Sequence, residues 1–225
     1  MKRFPAVLIL VVALILTCLP VTAETAALTI TGSLELEYAD QFSMDFCEGG
    51  YSLITISDGA RFLTIPEGAQ IPDGLPEDIV TLQLPLDNLL ISSTPTVSLI
   101  NALGALDAVA TTTQEYDGWY IDEVKAAMDA GKLTYIGSYK APDFETLTAN
   151  KPPFAVFSTM LDSVPEVAEK LKEIGIPYMR DCSTYESHPL ARMEWIKLYG
   201  VLLGKEAEAQ AHYDAQKALM CKRTI

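Results

Sequence analysis

The sequence predicts an α/β protein: a Rossmann-like sandwich with a parallel sheet covered on both faces, preceded by a β-hairpin region and followed by a long C-terminal helix. Two observations carry this expectation. From residue 88 onward, short apolar runs alternate with amphipathic stretches of about ten residues, the pattern of strands joined by crossover helices. Ahead of it, residues 51–56 and 61–65 flank Ser57-Asp58-Gly59, a two-strand pattern around an Asp-Gly turn. The chain has 225 residues, of which 49% are hydrophobic, and a mean hydropathy of +0.20, enough for one well-filled core.

The elements follow in order. Residues 27–65 read as strands, with Leu28, Ile30, Leu34, Leu36 and Tyr38 alternating with polar residues at their start. Residues 66–85, rich in Pro, Gly and acids, read as a connection holding a short strand near 79–82. Residues 89–92 form a short apolar strand, and Thr94-Pro95 opens a helix with Val97, Ile100 and Leu103 on one face, ended by Gly104. Strands are expected at 108–110, 133–136, 154–157 and 176–179. Helices intervene, carrying Ile121, Val124 and Met128, then Phe144 and Leu147, then Val167, Leu171 and Ile174. Residues 191–219 read as one helix of roughly thirty residues, about 45 Å long. Its stripe of Met193, Ile196, Tyr199, Leu203, Ala207 and Ala211 has, in its far half, nothing evident to pack against, so self-association is expected. In boundaries, the reading is a leader over 1–23, a strand region over 24–87, an α/β lobe over 88–190 and the long helix over 191–221.

The first segment points to export. Lys2 and Arg3 precede an apolar run over residues 6–16, and Val21-Thr22-Ala23 supplies small residues before Glu24. Cleavage before Glu24 is one reading. Lipidation at Cys18, in Ile15-Leu16-Thr17-Cys18, is another, and an uncleaved anchor is a third. The net charge of −14 excludes a nucleic-acid binder, which needs clustered Lys and Arg. Beyond Cys18 the cysteines are Cys47, Cys182 and Cys221, with no Cys-x-x-Cys; a Cys47–Cys182 disulfide and three separate thiols both remain open. No Gly-x-Ser-x-Gly, His-Glu-x-x-His, phosphate loop or Gly-x-Gly-x-x-Gly occurs, and there are two histidines, so no enzyme activity, metal or cofactor is expected. An exported α/β hydrolase and a single-lobe surface interaction module are the alternatives.

Several segments carry a resemblance. They are Pro85-Leu86-Asp87-Asn88, Ala102-Leu103-Gly104-Ala105-Leu106-Asp107 and Tyr135-Ile136-Gly137-Ser138. The most specific is Tyr185-Glu186-Ser187-His188-Pro189 leading into Glu194-Trp195-Ile196-Lys197-Leu198-Tyr199-Gly200 and Leu202-Leu203-Gly204-Lys205-Glu206. Together they resemble the substrate-binding proteins of ABC importers for iron–siderophore, haem or corrinoid cargo, from Leu34 to Leu219. The resemblance implies one lobe of a periplasmic-binding-protein-like fold joined to its rigid helix, with the second lobe absent from this chain, as in a truncated form. It also implies an ABC permease subunit as partner, and a membrane surface reached through the permease or a lipid anchor. Cargo held by one lobe alone is expected to bind weakly.

Ligands of a parallel sheet sit beyond the carboxyl ends of its strands, which selects the candidate residues. Trp119 and Tyr120 could stack on a macrocycle or catecholate, although Tyr120 could equally belong to a buried helix face. Ser158, Thr159 and Met160 end a strand where hydroxyls would face cargo, and Arg180 could pair with an anionic siderophore. Tyr185 and His188 follow the last strand and are either cargo contacts or, for His188, part of the helix start. The resemblance further implies an exposed glutamate that docks into permease arginines; Glu166 and Glu186 are the candidates. Glu166 in a first helical turn is also favourable to the helix dipole, and Glu186 could serve as a cap.

Overall fold

The computed structural model describes residues 28–223. The expected leader and Cys18 lie outside them. Among the described residues, ten strands form two sheets: β1 (Ile30–Ser33), β2 (Phe42–Cys47), β3 (Ser52–Ile56), β4 (Arg61–Ile65) and β5 (Ile79–Gln83) in the first, β6 (Leu89–Ser92), β7 (Val109–Thr112), β8 (Thr134–Tyr135), β9 (Ala155–Ser158) and β10 (Tyr178–Asp181) in the second. The helices are α1 (Thr94–Ala102), α2 (Asp122–Asp129), α3 (Phe144–Asn150), α4 (Pro165–Glu173), α5 (Pro189–Leu203) and α6 (Glu206–Arg223). None of these helices is long and apolar enough to cross a membrane.

The second sheet is parallel throughout, in the order β10-β9-β6-β7-β8. Counted from β6, that is the 3-2-1-4-5 order of a doubly wound sheet, with its switch point between β6 and β9. Side chains alternate across it. Leu89, Ile91, Val156 and Met179 pack with α1, α2 and α5, while Leu90, Ala155 and Phe157 pack with Leu147 of α3 and Val167 and Leu171 of α4. Burial on both faces is why these strands read as apolar runs.

The first sheet is antiparallel except for the parallel β4–β5 pair. One face, with Phe42, Met44, Ile54, Ile56 and Phe62, joins the main core; the other, with Leu53, Leu63 and Ile65, is covered around Ala69 and Leu75. The expected Asp58-Gly59 hairpin joins β3 to β4. Cys47 and Cys182 are both buried as free thiols in different clusters, and Cys221 is exposed.

Two expectations need correction. The alternation over residues 28–38 forms a strand only at Ile30–Ser33. Leu34 and Leu36 still turn inward, but after the Leu34 N–H bonds the Met44 carbonyl the main chain leaves the sheet, and the N–H groups of residues 37–41 find two carboxylates instead of a ladder partner. Glu194 on α5, fully buried, accepts from the N–H groups of Glu37, Tyr38 and Ala39 at 2.9, 2.9 and 3.0 Å. Glu186 accepts from Asp40 and Gln41 at 3.2 and 3.1 Å, and from Trp195 Nε1 at 2.9 Å. Lys197 neutralises Glu194 at 2.8 Å, donates to the Glu35 carbonyl, and lies 4.5 Å from the centre of the Tyr213 ring.

The second correction concerns the C-terminal helix. It breaks at Gly204, which takes a left-handed φ of 64° and caps α5; α6 then folds back along it. Gly200 permits the close crossing, because a Cβ there would stand 2.7 Å from Ala209 Cβ. The reversal changes which residues of the second half are covered: Ala209 and Tyr213 are buried, whereas Ala207 and Ala211 face solvent. The far half therefore has a partner within the chain, and the expected exposed stripe is not there.

Burial pulls the Glu194 pKa up, but the Lys197 ammonium and three backbone donors outweigh it and hold the carboxyl below its ordinary value. A lowered folded-state pKa stabilises the protein above the ordinary glutamate range, and that contribution is lost as pH falls through the folded value. Glu194→Gln leaves Lys197 buried without its charge partner and should cost about 3 kcal/mol at pH 7. In urea titrations at pH 7 and pH 3.5, the difference from the parent protein should shrink at the lower pH.

Candidate functional site: the carboxyl edge of the parallel sheet

The loops beyond the carboxyl ends of β6, β7, β8, β9 and β10 make one edge of the sheet, and hydrogen bonds tie them in pairs. Ser92 Oγ and Thr113 Oγ1 are 2.5 Å apart, linking the loops after β6 and β7. Thr159 Oγ1 and Thr184 Oγ1, 3.2 Å apart, link those after β9 and β10. Ser93 caps α1 by accepting from the Thr96 N–H. Beneath the edge, buried Asp181 accepts from Thr96 Oγ1, Tyr199 Oη and the Ser183 N–H, fixing β10 against α1 and α5. These bonds hold short loops on a rigid scaffold, a suitable platform for ligand contacts.

Tyr120 is 95% exposed, before α2, and Met160 and Tyr185 are 54% and 58% exposed after β9 and β10. Tyr116 and Tyr135, which sequence reasoning missed, stand exposed after β7 and at the end of β8. Their signal was positional only: each lies where a strand gives way to a loop. Tyr116 Oη donates to Asp129 at 3.2 Å and Tyr135 Oη to Glu115 at 3.3 Å. Desolvation and then these carboxylates push both phenols up, so they remain neutral. The edge thus presents neutral aromatic rings and a thioether, groups suited to stacking on a flat, conjugated ligand.

Three expected site residues are placed otherwise, and His188 takes the helix-start role expected as its alternative. Trp119 is 2% exposed, packed in the core, with its Nε1 donating to the Gln114 carbonyl, so it cannot stack on cargo. Arg180 binds Asp58 through Nε at 3.0 Å and Asp162 through Nη1 at 2.5 Å. Its charge is already balanced, and the Asp162 hydrogen bond raises its pKa further. Glu186 is 2% exposed with its carboxylate committed to the 34–41 segment, so it is not an exposed docking group. His188 caps α5, its Nδ1 accepting the Leu190 N–H at 3.1 Å, and its ring stacks on Tyr38 at 4.6 Å. Ser158 Oγ accepts the Met160 N–H and shapes its loop. Glu166 is exposed in the first turn of α4, and Glu145 has the same placement on α3. Among the described residues, no group of three or more His, Cys, Asp or Glu side chains is arranged to hold a metal ion.

No family model matches the chain. Two uncharacterized lipoproteins of Methanocaldococcus jannaschii are similar in sequence. MJ0878 is 22% identical over 173 residues, 73% of this chain and 42% of the relative. MJ0872 is 27% identical over 179 residues, 78% and 45% respectively. Among solved structures, the petrobactin-binding protein YclQ from Bacillus subtilis superposes with a TM-score of 0.53 at 13% identity, over 76% of this chain and 52% of that one. The fold is that of a periplasmic-binding-protein lobe. A periplasmic haem-binding protein from Pseudomonas aeruginosa is similar at a TM-score of 0.46 and 17% identity, over 63% and 46%. The chain spans about half the length of the curated relatives it matches.

The two neighbouring aromatics should separate cleanly on mutation. Trp119→Ala empties a buried site and should lower unfolding free energy by about 3 kcal/mol or more. Tyr120→Ala should change it by less than about 0.5 kcal/mol. Urea denaturation followed by circular dichroism checks both.

Proposed function

We propose that the protein is an extracytoplasmic solute-binding component of an ABC importer, which captures an iron–siderophore complex and delivers it to a permease without catalysis. The observation that carries this reading is the exposed aromatic rim at the carboxyl edge of a doubly wound lobe. Tyr116, Tyr120, Tyr135, Met160 and Tyr185 are all exposed there, where a parallel sheet receives its ligands. Similarity of fold to a petrobactin-binding protein favours siderophore over haem or corrinoid cargo. The basic start and apolar run of residues 2–16, with two relatives named as lipoproteins, support export and a lipid anchor at Cys18. For permease docking, the exposed Glu166 is the group we assign, with Glu145 in the same geometry.

Titration with a ferric catecholate siderophore, haem and cobalamin, followed by intrinsic fluorescence, tests the cargo. Tyr120→Ala and Tyr185→Ala should each weaken siderophore binding by about threefold to tenfold, the worth of one aromatic stack, with stability unchanged. Binding that ignores both substitutions would remove the rim from the site. Glu166→Lys should leave cargo binding intact and abolish uptake in cells; uptake at the parent rate would defeat the docking assignment.

A further inference from the structure

A second feature lies away from the aromatic rim, along the flank of β10. This strand ends the parallel sheet, pairing with β9 alone. The Ala155 N–H binds the Pro177 carbonyl at 2.9 Å, and the register then runs Tyr178 to Ala155 through Asp181 to Ser158. In a parallel ladder alternate residues face the partner strand. Pro177, Met179 and Asp181 therefore turn their main-chain groups to β9, and Tyr178 and Arg180 turn theirs outward. Neither outward pair has a hydrogen-bond partner among the described residues. The opposite edge, β8, is blunted by being only two residues long. The Arg180 side chain is tied to Asp58 and Asp162, which line the same flank.

The same two residues line a cleft of about 970 Å3. One wall is α4, with Ala168 and Lys172; the other is β4 and β5, with Phe62 and Val80. Leu161 and Ile176 add apolar surface. Lys172 and Glu77 line it without an ion-pair partner among the described residues, whereas Arg61 is paired with Asp78 at 3.1 Å. Two free donor–acceptor pairs repeated at every second residue, about 6.6 Å apart, match the spacing of an extended polypeptide backbone. A small ligand offers no such repeat.

We propose that this cleft receives an extended peptide segment of a partner protein, which adds a strand to β10 through the main chains of Tyr178 and Arg180. Apolar side chains at alternate positions would meet Ile176, Val80 and Ala168. The inference goes beyond the importer reading and does not depend on it, because none of the rim residues lines this cleft.

The probe is a capped hexapeptide alternating threonine and valine, compared with the same peptide N-methylated at alternate residues on its ladder edge. With the unmodified peptide, amide exchange at Tyr178 and Arg180, followed by NMR, should slow at least tenfold; the N-methylated peptide should have no effect. Ala168→Arg fills the wall from a helix position and should weaken peptide binding at least tenfold. Tyr178→Pro removes an outward N–H that β9 does not use, and should do the same. Ferric siderophore binding at the rim should be unchanged in the Ala168→Arg variant. Absence of peptide-dependent slowing, or binding indifferent to N-methylation, would overturn the proposal. So would slowing of the same amides without peptide in a concentration-dependent dimer, seen by sedimentation, since the occupant would then be a second copy.

Discussion

The architecture hangs on two buried carboxylates. Glu186, three residues before α5, and Glu194, in its second turn, accept five backbone N–H groups from residues 37–41. Those residues connect β1 to β2, so the first sheet is fastened to the second through α5. An amide left unpaired in the core costs more than its hydrogen bond is worth, and a buried carboxylate without donors costs more still. Each side of this arrangement therefore requires the other. Lys197 completes it by balancing Glu194, and the Trp195 indole N–H donates to one oxygen of Glu186. Phe42, the first residue of β2, packs on Trp195 with ring centres 4.9 Å apart, so apolar contact begins where the polar clamp ends.

From that clamp the functional edge follows. Fixing α5 fixes Asp181 through Tyr199, and Asp181 fixes the loop after β10 and the start of α1. The polar groups of the carboxyl edge are largely engaged with one another, in the Ser92–Thr113 and Thr159–Thr184 contacts and the ties of Arg180. Exposed there are rings and one thioether, with Glu115, Asp117 and Lys140 among them. Such an edge offers ring area beside a few solvent-exposed charges. The flank of β10 has the opposite character: free main-chain groups over an apolar floor.

Much of the fold was legible because burial leaves a periodic trace. The strands at Leu89–Ser92 and Ala155–Ser158, and the helices opened by Pro95 and Pro165, follow from apolar runs and caps that any neighbour would satisfy. Residues 42–47, within the region read as strands, also alternate, as Phe42, Met44 and Phe46 show, while the alternation over 28–38 reaches past the end of β1. The periodicity there was real, since Leu34 and Leu36 do face the core. Periodicity reports which side chains are inside; it does not report whether the main chain between them binds a strand or a carboxylate.

Sequence by itself determined the class of the fold: an acidic chain with a doubly wound alternation, and helix starts and stops set by local chemistry. These are properties of neighbouring residues, within a few bonds of one another. Tertiary structure alone decided the fates of Trp119 and Tyr120, adjacent in sequence, one in the core and the other 95% exposed. It decided that Glu186 faces inward to amides 145 residues away while Glu166 faces solvent. It also turned α6 back at Gly204, against a helix whose Gly200 leaves room for it. The physical reason is the same in each case: a side chain's role depends on what lies across from it, and distant parts of the chain supply that surface only once folded.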